Sequence, residues 1–163
     1  MNSCQEINLE DLTQIVAVPL ENIPASEPSS AANSLSPTIR EQDFQYPLTG
    51  AVTIGARAAV SGGELIPIKR DTGKAKDSGS DAVSGRLHTV TVTAEADDRD
   101  GSTWAPLLQL ERGAYHLLLT FRGGQRAFVS ATRDTYLCQT ERDSGKTTVT
   151  FRIYNIMGMQ LLV

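Results

Sequence analysis

Apolar and polar positions alternate most regularly in the last third of the chain, from Trp104 to Val163, and that stretch sets the expected architecture. Leu117, Leu119 and Phe121 alternate with Leu118, Thr120 and Arg122, the period-two pattern of a strand with one face buried. Gly123 and Gly124 suit a two-residue hairpin turn that needs positive φ, and the chain returns through Gln125 to Ala131. The device is repeated downstream. Tyr136 to Glu141 is joined through Arg142, Asp143, Ser144 and Gly145 to a strand from Lys146 to Ile156, in which Val149, Phe151 and Ile153 alternate with Thr148, Thr150, Arg152 and Tyr154. The first set is the expected core face, and the threonine-rich face is expected to be exposed or paired.

Upstream, RLHTVTVTAEA from Arg86 to Ala96 is the cleanest strand, with Val90, Val92 and Ala94 on one side and Thr89, Thr91 and Thr93 on the other. A short helix follows: Ser102 or Thr103 caps it, Pro106 falls in its first turn where no intrahelical donor is lost, and Gly113 ends it. Trp104, Leu107, Leu108 and Glu111 follow helical spacing and predict a shared face packed on a sheet. Earlier in the chain, Leu9 to Ile23 contains IVAV ended by Pro19, which predicts an edge strand preceded by one turn of helix. The β-branched residues of GAVTIGARAAV, from Gly50 to Val60, favour a further strand, and Leu65 to Ile68 carries a proline that places it at an edge. Many short strands with one interposed helix predict a mainly β fold, an antiparallel β-sandwich or barrel with one short α-helix packed on a sheet.

Two segments interrupt the pattern. Residues 24–47 collect Pro, Ser, Ala and Asn, which bury too little surface to offset ordering entropy, and they read as an arm or linker. Residues 70–85, RDTGKAKDSGSDAVSG, read as a flexible loop: an extended hairpin tip or interaction loop on one reading, plain disorder on the other. With 163 residues, two compact domains would each lie near the lower limit for a self-sufficient core, so a single domain spanning 1–163 is expected.

Charge and composition narrow the function. No apolar run reaches the roughly 18 residues of a membrane-spanning helix, and a net charge of -4 gives no footprint for a polyanion; neither a membrane nor direct nucleic-acid binding is expected. Met1 to Leu12 has neither a basic nor an apolar signal region, which predicts a protein that stays in the cytoplasm or leaves by lysis. Cys4 and Cys138 do not form a dense disulfide framework, and Cys138, inside a strand, reads as a small buried hydrophobe.

No motif carries recognisable chemistry. Asp97, Asp98 and Asp100 precede Gly101, but aligning that glycine to the sixth position of a calcium loop puts Ala96 first and Leu107 twelfth, where oxygen ligands are required. His88 and His116 lack zinc-ligand spacing and read as partly exposed sheet residues. GKAKDSGS, from Gly73 to Ser80, lacks the order of a phosphate loop, and no serine stands in GxSxG. The chain is therefore expected to be no enzyme and to need no cofactor or metal.

The succession of LLQLERG, HLLLTF, a GG hairpin, AFVSATRDTYL and TVTFRIYNIMG resembles the β-sandwich with flanking helix of tailed-bacteriophage tail proteins, the tube proteins and the related distal-tail family, over about the last half of the chain. The resemblance implies a subunit that stacks as rings, joins sheet edges between neighbours and bridges rings through an arm or long loop. Its partners would be copies of itself and other tail proteins, and its location the virion, or the bacterial cytoplasm before assembly. It brings no catalytic residues. Candidate assembly contacts are the charges flanking one strand, Arg133 and Asp134 before it and Glu141, Arg142 and Asp143 after it, together with Lys74, Lys76 and Asp77 in the 70–85 segment. The alternative is a monomeric β-sandwich module binding a ligand or carbohydrate through its loops, with Trp104, Tyr115 or Tyr136 as stacking platforms, although core packing is the plainer reading of these aromatics.

Overall fold

A computed structural model describes residues 10–22, 50–55, 63–82, 85–97 and 104–162. The expected arm at 24–47 lies outside the described residues. The elements are β1 (Glu10–Pro19), a 3-10 turn (Leu20–Asn22), β2 (Ala51–Gly55), β3 (Gly63–Ile66), β4 (Gly73–Ala82), β5 (Gly85–Ala96), α1 (Trp104–Arg112), β6 (Tyr115–Phe121), β7 (Arg126–Val129), β8 (Tyr136–Asp143), β9 (Lys146–Asn155) and β10 (Met159–Leu161). The strands run β10-β7-β6-β1-β4-β5-β9-β8, with β2 branching from β1 and β3 pairing with β2. All these pairings are antiparallel except β2 with β3. The described residues form a mainly β fold with one short α-helix, as the alternation predicts.

The branch sits at a bulge in β1. Glu10 and Leu12 pair with β4, whereas Gln14 to Ala17 pair with β2; the ladder to β6 shifts register between Leu12 and Gln14, and the ladder to β4 between Glu10 and Leu12. Asp11 adopts a φ of 72° there, the local distortion that lets one strand serve two neighbours. Gly73 makes the crossing possible, since a Cβ at that position would lie 2.4 Å from the Leu12 carbonyl oxygen. β1 is thus an internal strand, paired with β6 on its other side, and not the edge strand that Pro19 predicts. The proline occupies the last strand position, two residues past the end of the β1–β2 ladder, where it interrupts neither neighbour's central pairing.

One core joins the two halves of the sheet. Ile15, Ala17, Leu117, Leu119, Ala127 and Val129 from the β1–β6–β7 half cluster with Val90, Val92, Ala94, Val149, Phe151 and Ile153 from the β5–β9 half, so the sheet folds over on itself. Val149, Phe151 and Ile153 are each fully buried, as their alternation predicts. A second, smaller cluster of Val16, Val18, Ala51, Leu118 and Phe128 lies on the opposite face of β1 and β6. Leu118 is therefore buried beside Leu117 and Leu119 instead of alternating with them toward solvent.

Three local expectations change. Helix α1 buries Pro106, Leu107 and Leu110, while Trp104 is 43% exposed. The apolar stripe is rotated from the predicted one because Leu110, three residues after Leu107, completes it in place of the tryptophan. The β6–β7 loop contains three residues, Arg122 to Gly124, closed by the Phe121 N–H donating to the Gln125 carbonyl at 2.9 Å. The extra residue puts the Arg122 guanidinium against Asp71 (2.7 Å) and Asp11 (3.2 Å), tying this turn to the β1 bulge. The segment 70–85, expected as a loop, instead carries β4, whose ladder with β5 runs from Lys74 opposite Thr93 to Ala82 opposite Gly85. Its polar composition does not oppose a strand whose backbone is paired and whose side chains from Lys76 to Asp81 are exposed.

Candidate functional site

Among the described residues, strand β8 ends the sheet on the β9 side and pairs only with β9. The two strands meet in a turn in which Ser144 (φ 50°) and Gly145 (φ 79°) both take positive φ, the geometry of a type I′ hairpin. The five candidate residues at the strand's ends lie where the sequence places them. Arg133 and Asp134 occupy the exposed turn before β8, which is held by Thr132 and Thr135, and Glu141, Arg142 and Asp143 occupy its exposed final residues.

The edge is partly dressed from within the chain. The Glu111 carboxylate on α1 accepts from the Thr140 backbone N–H (2.7 Å) and from the Thr140 hydroxyl. Because antiparallel residues alternate between facing toward and away from the paired neighbour, Cys138 and Arg142 direct their backbone groups to the same outward side as Thr140. At the end of the strand the Arg142 guanidinium lies 4.1 Å above the Trp104 ring, a cation–π contact across the helix–strand boundary. A shallow, open depression lined by Arg142, Asp143, Lys146 and Thr147 sits at the turn.

Lys74, Lys76 and Asp77 are not brought to that edge, since β5 and β9 separate β4 from β8. Lys74 and Lys76 share the outward side of the sheet with Thr93 and Thr91. Asp77 faces the other way and is engaged internally: Oδ1 meets His88 Nδ1 at 2.8 Å and Oδ2 accepts from the Met159 N–H at 2.9 Å. This tie between β4, β5 and the start of β10 has no local sequence signal, because its three residues meet only once register is fixed.

The titratable groups nearest the core are built for packing. Tyr136 donates to the Leu110 carbonyl at 2.8 Å and packs edge-on against Tyr115 at 5.9 Å, and burial pushes its phenol far above the ordinary range. Burial likewise pushes the Cys138 thiol up to about 12, against the opposing effect of its Tyr136 contact. A thiol so placed is not an activated nucleophile; Cys138 is free and buried, as expected, and Cys4 lies outside the described residues. His116 accepts from the Ala131 N–H at Nδ1 (3.0 Å), and burial lowers its pKa against the effect of a hydrogen bond with the Leu20 backbone. The imidazole is held neutral.

Tyr115 and Tyr136 are thus core residues and cannot serve as loop platforms, whereas Trp104, expected on the helix's packed face, is half-exposed beneath Arg142. Among the described residues no group of three or more His, Cys, Asp or Glu side chains could hold a metal ion, and Asp98, Asp100 and Gly101 lie outside them. No described helix is long and apolar enough to cross a membrane. Comparison with protein families, characterised proteins and solved structures returned no match to this chain.

Proposed function

We propose that the chain is a non-catalytic structural subunit that assembles with copies of itself, of the kind found in phage or prophage tails as a tube or baseplate-proximal component. The observation that carries this reading is that, among the described residues, β8 is the last strand of the sheet and its outward-directed backbone groups lie between two clusters of exposed charge. An unpaired strand edge is a template for pairing with another chain, and opposite charges at its ends fix register and exclude wrong partners. On this reading the other partners are neighbouring tail proteins, and the protein resides in the virion or, before assembly, in the bacterial cytoplasm.

Arg142 supplies the test. Proline there replaces an N–H that faces away from β9, so the β8–β9 ladder survives while the outward side of the strand is altered. Arg142→Ala is the control for loss of the Trp104 contact. In sedimentation velocity over a concentration series, the native chain and Arg142→Ala are expected to form larger species that Arg142→Pro does not. A native chain that stays monomeric throughout would count against the proposal.

A further inference from the structure

The outward face of the β4–β5–β9–β8 half carries a charge pattern that neither the core nor the strand edge uses. Register arranges its side chains in rows across the four strands. Lys76, Thr91, Arg152 and Leu137 form one row, and Lys74, Thr93, Thr150 and Gln139 form the next. Thr89 and Tyr154 flank the first row, and Glu95, Thr148 and the exposed Glu141 flank the second.

Lys74, Lys76 and Arg152 are exposed, no carboxylate stands within the two rows, and among the described residues no ion pair engages any of the three cations. Glu95, the acid on β5, is already paired with Lys69. In a chain of net charge -4 this is a local reversal of sign. From the spacing of strands and of alternate residues, Lys76 and Arg152 lie about 10 Å apart and Lys74 and Lys76 about 7 Å apart.

We propose that this face binds an acidic polysaccharide, a polymer that repeats carboxylates along a hydroxyl-rich chain. The three cations meet carboxylates in charge-assisted hydrogen bonds. The five threonine hydroxyls at 89, 91, 93, 148 and 150 can each donate and accept toward sugar hydroxyls. Tyr154, 39% exposed and two residues from Arg152 on the same face of β9, offers its ring to the apolar side of a sugar. A nucleic acid is less well matched, because one aromatic ring does not make a stacking series and the remaining surface is acidic. An acidic peptide would meet rows of short hydroxyls that offer little to its apolar side chains. The cations stand on β4 and β9 and not on β8, so the proposal is tested apart from self-assembly.

The test is affinity electrophoresis of the full chain in native gels containing polygalacturonate, neutral dextran, polyglutamate or oligo-dT. Polygalacturonate should retard the protein, more weakly as salt rises, and dextran should not. A Lys76→Gln/Arg152→Gln double variant should bind roughly tenfold more weakly. Tyr154→Ala should also weaken binding, which a contact made by charge alone would not show, and all variants should keep the native thermal midpoint. Absence of retardation, unchanged binding by the double variant, or equal retardation by polyglutamate or oligo-dT would overturn the proposal.

Discussion

The two halves of the sheet are built on different terms. In the β5–β9 half one face is core and the other is threonine: Val90, Val92, Val149, Phe151 and Ile153 are fully buried while Thr89, Thr91, Thr93 and Thr150 are only partly so. In the β1–β6 half both faces are buried, with Ile15 and Leu117 on one side and Val16 and Leu118 on the other. A strand buried on both faces gains more apolar contact but must tolerate polar side chains that water cannot reach. Thr53 on β2, opposite Val16, is such a case, fully buried with no hydrogen-bond partner for its hydroxyl among the described residues.

Substitutions can break or sharpen that contrast. The largest effect is expected for Leu118→Thr, which removes buried apolar volume and adds a buried hydroxyl, for a loss of about 3 kcal/mol in urea denaturation. The matched change on the other half, Thr91→Val, should stay within about 0.5 kcal/mol because its face is not core. Equal losses at the two positions would show that the outward face of β5 is packed as tightly as that of β6. Thr53→Val should stabilise by about 1 kcal/mol, since it removes an unpaired hydroxyl while keeping the side chain's shape. Destabilisation by Thr53→Val would mean that this hydroxyl is satisfied in solution.

His116 gives the contrast a pH dependence. Its pKa is lowered by burial, so between the folded value and the ordinary 6.5 the unfolded chain binds the extra proton and the native chain does not. The stability that this group contributes is complete above about pH 6.5 and falls as pH drops below it, until the folded imidazole also protonates. Urea midpoints from pH 7.5 to 5 should fall more steeply for the native chain than for His116→Gln. Parallel profiles would place His116 in solvent.

What could be read from the sequence follows the same division. Where one face is wet, alternation marked the strands, and Val149, Phe151 and Ile153 were identifiable as core from spacing alone. Where both faces are buried, as at Leu117 to Leu119, a continuous apolar run hides which residue faces which cluster. β4 was illegible because a strand held by its ladder to β5 needs no apolar pattern, and Trp104 was misplaced because spacing fixes a helical stripe only to within about one residue. The charged ends of β8 were visible as charges. That they flank the last strand of the sheet, and that Asp77 turns inward to His88, depends on long-range pairing that no local pattern encodes.

Amide hydrogen exchange of β8 at low and high protein concentration tests the edge assignment most directly. The Thr140 amide, already bonded to Glu111, should be protected at both. The Arg142 amide, directed away from β9, should become more protected than in dilute solution as assembly proceeds. Larger species that form while the Arg142 amide continues to exchange at its dilute-solution rate would contradict assembly through the β8 edge.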